Sequence, residues 1–212
     1  MLSDLEISQC IATKLCHDLA GAIGAINSGL DFIDSSNSDI KDKALDLIKS
    51  SSTLSVNRLV FFRHTYGIIK HIGEANFDEI KKVAEDFLTD SKVTLNFHEK
   101  YFHIPGIFIS ANLGKLILCL IQQGYNNLIH GGKIAIEIKK EKDKNIILIE
   151  AIGPSPKIDQ EKNDILNDST KKYELTTHNC TAFFTVKLAK IINVEIYSFT
   201  EKKDSILYTI EF

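Results

Sequence analysis

The feature that most constrains the fold is a long amphipathic run at the start of the chain. No proline occurs in the first 35 residues, and apolar side chains recur there every three or four positions. This period matches the turn of an α-helix and predicts one helix from residue 4 to about residue 35. Such a helix would be roughly 45 Å long at about 1.5 Å per residue. Its predicted apolar stripe is Ile11, Leu15, Leu19, Ala22, Ile26, Leu30 and Ile33.

A second long helix is predicted directly after the first. Residues 35–38 favour a turn, and Ser38 or Asp39 can cap the helix that follows. Two helices cover only part of each other's apolar stripe, so we expect a second hairpin to complete a four-helix bundle. A second copy of the chain is the simplest source, which predicts a twofold homodimer. The second stripe is Ala44, Leu47, Leu54, Phe61 and Phe62.

The pattern changes near residue 73 to shorter helices and alternating strands. Helices are predicted at residues 77–88, 113–129 and 181–192, and strands at 93–97, 133–140, 145–152, 194–199 and 205–211. This order predicts an α/β sandwich with helices on one face of a mixed sheet. The fold class is therefore α+β, with a helical hairpin domain at residues 1–72 and a sandwich domain at residues 73–212.

Composition excludes several classes of protein. The net charge is -3, and no cluster of lysine and arginine resembles a nucleic-acid-binding surface. No run of about 18 apolar residues could cross a membrane, and acidic Asp4 and Glu6 do not fit an export signal. The four cysteines lack the spacing of a metal site or disulfide framework. We expect a cytoplasmic protein with reduced thiols.

His17 is the strongest candidate for a functional residue. At about 100° per residue it lies roughly 180° from the centre of the apolar stripe, so it should face solvent. An isolated exposed histidine usually has no function, but Gly21 and Gly24 share its face. Each interior glycine costs about 1 kcal/mol relative to alanine, and clearing space for a partner beside His17 explains both. Gly29 lies near the stripe, where close packing is the better explanation.

Asp18 adds chemistry to His17. Imidazole is largely neutral and nucleophilic near pH 7 and can form a labile phosphoramidate. A carboxylate that holds the proton of one ring nitrogen leaves the other nitrogen free to attack. Alone, Asp18 would be interpreted as a solvated helix charge, whereas the pair indicates phosphoryl transfer.

Two segments resemble a known family. Residues 15–26 (LCHDLAGAIGAI) resemble the H-box of histidine-kinase dimerisation domains, most closely in the version of alphaproteobacterial ChpT-type histidine phosphotransferases. Residues 58–67 (RLVFFRHTYG) are similar to the segment that closes that family's hairpin. The resemblance implies that His17 accepts the phosphoryl group and that Asp18 is its acid-base neighbour. Gly21 replaces the usual polar residue that assists dephosphorylation, so phosphatase activity is not implied. The predicted partner-docking residues are Lys14, Gly21, Gly24, Ser28, Arg58 and Arg63, although Arg58 and Arg63 could equally be solubilising charges.

The second region resembles a degenerate version of the histidine-kinase ATP-binding (Bergerat) domain. Cys119 and Gln123 stand where that domain carries two asparagines, and Ala151 replaces the carboxylate that contacts adenine. Ser155 replaces a glycine, and no glycine follows Gly153 to build a phosphate-binding lid. We therefore expect neither ATP nor another cofactor to bind.

These features predict a phosphotransfer protein of two-component signalling. A phospho-aspartate on the receiver of a hybrid histidine kinase would pass its phosphoryl group to His17, and a response-regulator receiver, of the cell-cycle type by resemblance, would take it. The receivers would supply Mg²⁺. Two alternatives are a sensor-kinase fragment with residual ATP use and a non-catalytic inhibitor that binds receivers. His64 is a rival acceptor, and surface or loop roles are the default for His71, His98, His103, His130 and His178.

Overall fold

A computed structural model describes residues 3–68, 77–97, 109–141, 144–168 and 172–212, with the backbone alone at residues 201 and 202. Helices α1 (Asp4–Leu30) and α2 (Ser38–Tyr66) form an antiparallel hairpin. Ser3 and Glu6 make a reciprocal capping box at the start of α1, because each side chain satisfies a backbone N–H of the other residue. Asn37 caps α2 by accepting from the Asp39 N–H at 3.0 Å. The predicted hairpin is confirmed.

Helix α1 ends about five residues before its predicted end. Residues 31–34 form turns, and the Phe32 N–H bonds to the Gly29 carbonyl three residues back. Leu30 and Leu47 were predicted to lie in the apolar stripes, but half of Leu30 and two fifths of Leu47 are exposed. Toward the tip of the hairpin a single chain has few other side chains that these leucines could pack against. Burial of apolar side chains therefore does not stabilise further turns of α1.

The second region is a mixed five-stranded sheet with helices on one face. The strands lie in the order β1 (Val93–Phe97), β2 (Gly132–Glu141), β3 (Lys144–Ile152), β5 (Ser205–Glu211), β4 (Glu195–Lys202). β1 runs parallel to β2, whereas the other pairs are antiparallel. Fully buried isoleucines alternate with partly exposed residues along β2 and β3, as expected when helices cover one face only. This confirms the predicted sandwich.

Within the described residues four helices accompany the sheet, and one of them was not predicted. They are α3 (Phe77–Leu88), α4 (Ala111–Asn127), α5 (Gln160–Asn167) and α6 (Cys180–Ile191). α4 contributes a continuous buried run to the core, and its residues from Leu116 to Ile121 are at most 2% exposed. Sequence analysis missed α5 because it is short and polar, with only Ile165 and Leu166 buried. Asp159 caps it by accepting from the Lys162 N–H.

The hairpin is fastened to the sandwich by apolar and polar contacts. Phe61 of α2 stacks on Phe87 of α3 with ring centroids 3.9 Å apart. The Tyr66 hydroxyl donates to Gln122 of α4, and the Lys115 ammonium donates to the Gly67 carbonyl. The predicted domain boundary at residues 72 and 73 lies outside the described residues and stays a prediction. None of the described helices is long and apolar enough to cross a membrane.

Candidate phosphotransfer site

His17 lies on the open side of α1. Its imidazole is 89% exposed, while Ile11 and Ala22, on the stripe side of the helix, are buried. A Cβ atom built on Gly21 or Gly24 meets nothing within 4 Å, so the surface at these two positions beside the imidazole is open. The predicted orientation of His17 and the open space beside it are confirmed.

Gly29 has a different environment from those two glycines. A Cβ added there would stand 2.6 Å from Cγ1 of Ile48 and 3.1 Å from the Ala44 carbonyl oxygen. These distances are below ordinary van der Waals contact, so the absence of a side chain lets α1 and α2 approach closely. The packing explanation for Gly29 is confirmed.

The Asp18 carboxylate lies between His17 and Lys14, which donates a hydrogen bond to it. Its Oδ1 lies 3.6 Å from Nδ1 of His17, and its Oδ2 lies 2.8 Å from Nζ of Lys14. The side chains of Asp18 and Lys14 are only 25% and 21% exposed, so Asp18 is not merely a solvated helix charge. The carboxylate thus faces one nitrogen of the His17 ring and leaves Nε2 turned toward solvent.

The predicted docking residues do not all lie beside His17. Arg58 reaches across the hairpin and donates from Nη1 to the Asp18 carbonyl at 2.6 Å, and Lys14 pairs with the Asp18 carboxylate. Arg63 lines a groove with Leu15, on a face of α1 about 200° from His17, so within one protomer it does not flank the imidazole. Ser28 is exposed on the His17 side and donates to the Gly24 carbonyl at 3.1 Å.

The other described histidines differ from His17 in exposure or in neighbours. His64 is 28% exposed and lies 3.9 Å from Glu79 of α3, so its ring is enclosed between two elements. His178 has an acidic neighbour, because Oδ2 of Asp159 lies 2.6 Å from its ring Nε2. Sequence analysis missed this pair because the two residues are 19 positions apart. His130 is exposed beyond α4. His71, His98 and His103 lie outside the described residues.

Asp159 anchors the chain before α6 to α5. It pairs with Lys162 at 3.0 Å as well as with His178, and the buried Asn179 side chain donates to Glu161 at 2.7 Å. Burial tends to raise the pKa of Asp159, but hydrogen bonds from Lys162 and the charges of Lys162 and His178 outweigh burial and lower it. The segment that includes His178 is therefore held down on α5.

Three of the four positions predicted to have lost their nucleotide ligands, Cys119, Gln123 and Ala151, are buried in packing, whereas Ser155 is exposed. Gln123 donates to the Thr181 hydroxyl at 3.0 Å, and Ala151 is fully buried. Burial raises the pKa of the Cys119 thiol to about 12, so it stays protonated. The cavity between Gln123, α5 and the sheet has a volume of about 10 Å³. Across the described ranges no three histidine, cysteine or acidic residues cluster as metal ligands.

An exposed histidine beside an oriented carboxylate, on a long hairpin joined to an α/β sandwich, is the arrangement of a histidine phosphotransfer protein. A 1.7 Å structure of a bacterial phosphotransferase has the same fold, with a TM-score of 0.82, 21% identity and coverage of 99% of this chain and 98% of that one. The histidine kinase AdeS of Acinetobacter baumannii is also similar, with a TM-score of 0.48, 14% identity and coverage of 92% of this chain and 96% of that one.

Sequence comparison identifies the family. Residues 77–203 match the histidine phosphotransferase C-terminal domain. Over 196 residues the chain is 22% identical to the protein phosphotransferase ChpT of Brucella abortus (strain 2308), covering 92% of this chain and 90% of that protein. The chain belongs to the histidine phosphotransferase family and is a ChpT-type phosphotransfer relay protein.

Proposed function

We propose that His17 carries the phosphoryl group between two receiver domains, taking it from the aspartate of a hybrid-kinase receiver and giving it to a response regulator. The observation that supports this most is the His17 site itself: an imidazole 89% exposed, with Asp18 on its Nδ1 side. The open surface at Gly21 and Gly24 gives a receiver room to approach. No other described histidine combines these features.

The transfer is a displacement at phosphorus. The lone pair of His17 Nε2 attacks, the P–N bond forms, and the P–O bond to the receiver aspartate breaks as its carboxylate leaves with the electron pair. The ring is then positively charged, and Asp18 stabilises the proton on Nδ1. The second receiver's carboxylate reverses these steps. Catalysis is mostly positioning, and the receivers supply Mg²⁺ and its acidic ligands.

The proposal includes no use of ATP by this chain. Ligand sites usually have volumes of about 300 to 1,000 Å³, whereas the cavity between Gln123, α5 and the sheet holds about 10 Å³. The buried side chains of Gln123 and Ala151 support the same proposal. A sensor-kinase fragment would need this region to reopen. We expect the protein to work in the cytoplasm, where hybrid kinases and regulators expose their receivers.

The proposal also includes a homodimer. Large apolar side chains are at least half exposed on the outer face of the hairpin, and α1 presents Leu5, Ile23 and Leu30 within about 20° of one another. Leu59 of α2 is 58% exposed and lines an apolar groove of about 360 Å³ with Ala12 and Leu15. A second hairpin would cover this face and complete a four-helix bundle. The face lies about 120° from His17 around α1, so it leaves the imidazole accessible.

The test uses the full-length chain and a receiver domain labelled on its aspartate with radioactive phosphate. The unmodified chain and His64→Gln should take up acid-labile phosphate, and His17→Gln should take up none while keeping its dimer. Uptake by His17→Gln would contradict the proposal. A stable complex without phosphate on the unmodified chain would favour the inhibitor, and ATP binding at micromolar concentration in calorimetry would favour the kinase fragment.

A further inference from the structure

We propose that Lys14 is a positioning residue for phosphoryl transfer and not a docking residue. Its ammonium holds one oxygen of Asp18 so that the other oxygen faces Nδ1 of His17. This inference rests on the proposed role of His17 and assigns a new role to a side chain one turn away from Asp18.

The contacts of Asp18 define the arrangement. Lys14 Nζ lies 2.8 Å from Oδ2, which is hydrogen-bonding distance, whereas Oδ1 lies 3.6 Å from His17 Nδ1. Without a partner on Oδ2, the carboxylate of an aspartate can rotate about χ2 and present either oxygen to water. Lys14 removes that freedom, because Lys14 and Asp18 are four residues apart and therefore neighbours on one face of α1.

Arg58 fixes the backbone of the same residue. Its Nη1 donates to the Asp18 carbonyl at 2.6 Å from the other helix of the hairpin. The Asp18 side chain and main chain are thus held independently, one from α1 and one from α2. Since Asp18 is 25% exposed and Lys14 is 21% exposed, solvent competes only partly for these contacts. The Lys14–Asp18 pair is therefore more sheltered than an ordinary surface ion pair.

The chemical consequence concerns which nitrogen carries the proton. A carboxylate fixed beside Nδ1 favours the tautomer with hydrogen on Nδ1, which leaves the Nε2 lone pair for attack on phosphorus. When the P–N bond forms and the aspartyl P–O bond breaks, that proton stays on Nδ1 beside Asp18. The ring keeps its positive charge, so Nε2 leaves with its electron pair when the second receiver attacks. A loosely held Asp18 would weaken both steps.

The test compares Lys14→Met, Lys14→Arg and Lys49→Met in the full-length dimer. Lys14→Met keeps most of the length of the side chain and removes its charge, whereas Lys14→Arg retains the charge. Lys49 is an exposed lysine of α2; it lies nine residues from Arg58, or about 14 Å along the helix, and serves as the matched control.

The first measurement needs no partner. The ¹⁵N chemical shifts of His17, assigned by loss of its signals in His17→Gln, report the fraction of neutral rings with hydrogen on Nδ1. Lys14→Met should lower that fraction, and Lys14→Arg and Lys49→Met should retain it. An unchanged or raised fraction in Lys14→Met overturns the inference, whatever the outcome of phosphoryl transfer.

The second measurement is phosphate uptake from a phosphorylated receiver at varied receiver concentration. Lys14→Met should lower the maximal rate on the order of tenfold and leave the half-saturating receiver concentration unchanged. A tenfold loss corresponds to one charge-assisted hydrogen bond at the weaker end of its range. A change in the half-saturating receiver concentration alone would show that Lys14 contacts the receiver, and it would overturn the inference. If the unmodified chain takes up no phosphate on His17 from any receiver, the proposed function fails while the chemical-shift result still decides the role of Lys14.

Discussion

Three identical glycine-to-leucine substitutions should separate partner access from folding. Gly21→Leu and Gly24→Leu place a better helix former where a new side chain meets nothing within 4 Å. Each should stabilise the folded chain by roughly 0.5 to 1 kcal/mol. For a chain of about 200 residues, that free energy raises the melting temperature by about 1 to 4 °C.

Phosphoryl transfer should change in the opposite direction. The leucine would stand one or two helical turns from His17, where a receiver has to bring its phospho-aspartate within about 3 to 3.5 Å of the ring nitrogen. A displacement of about 1 Å can lower a rate on the order of a hundredfold. Phosphate uptake from a labelled receiver should therefore fall by about that factor, although the variants melt no earlier than the unmodified chain.

Gly29→Leu is the matched control for stability. The first carbon of its side chain would lie 2.6 Å from Ile48 Cγ1 and 3.1 Å from the Ala44 carbonyl oxygen. Overpacking of this kind costs about 1 to 3 kcal/mol, which exceeds or cancels the gain in helix propensity. We expect a lower melting temperature for Gly29→Leu. The reasoning is refuted if Gly21→Leu and Gly24→Leu relay phosphate at the unmodified rate, because the surface beside His17 would then not receive the partner.

Three further predictions test other parts of the structure. The pKa of Asp159 is lowered from 3.8, so its contribution to the free energy of unfolding should be complete above pH 3.8 and lost as the pH falls further. Below pH 3.8 the free energy of unfolding of Asp159→Asn should therefore depend less on pH than that of the unmodified chain, which acid unfolding measures. Leu59→Glu places a charge on the exposed apolar face of the hairpin, so light scattering should find a monomer where the unmodified chain is a dimer. Tyr66→Phe leaves the buried Gln122 without its donor, and urea unfolding should show a loss of about 1 to 3 kcal/mol.

Sequence patterns predicted the elements whose burial is periodic. Both long helices, the five strands and the outward face of His17 follow from the spacing of apolar residues. α5 did not follow, because its only buried side chains are Ile165 and Leu166. Periodicity has no signal in so short and polar a segment.

The arrangement around His17 was predicted only in part. Asp18 and the two open glycines are close in sequence, so helix geometry was sufficient to place them. The bond from Arg58 to the Asp18 carbonyl joins residues 40 positions apart, and the His178–Asp159 pair joins residues on separate elements. Such contacts depend on how helices are packed and not on local spacing. For this reason Arg58 was predicted to bind a partner, although it donates to the Asp18 carbonyl. Lys14 stands four residues before Asp18, so helix spacing alone could have predicted that pair.

The fastening of the hairpin to the sandwich has a consequence for the direction of signalling. Three contacts hold the two regions together at the base of the hairpin. They are the stack of Phe61 on Phe87, the hydrogen bond from Tyr66 to Gln122 and the hydrogen bond from Lys115 to the Gly67 carbonyl. These contacts hold the His17 helix in one position on the sandwich, and the relay proposed above draws no energy from ATP. Net flux would then run down whatever gradient of phosphorylation exists between the two partners, and would reverse when that gradient reverses.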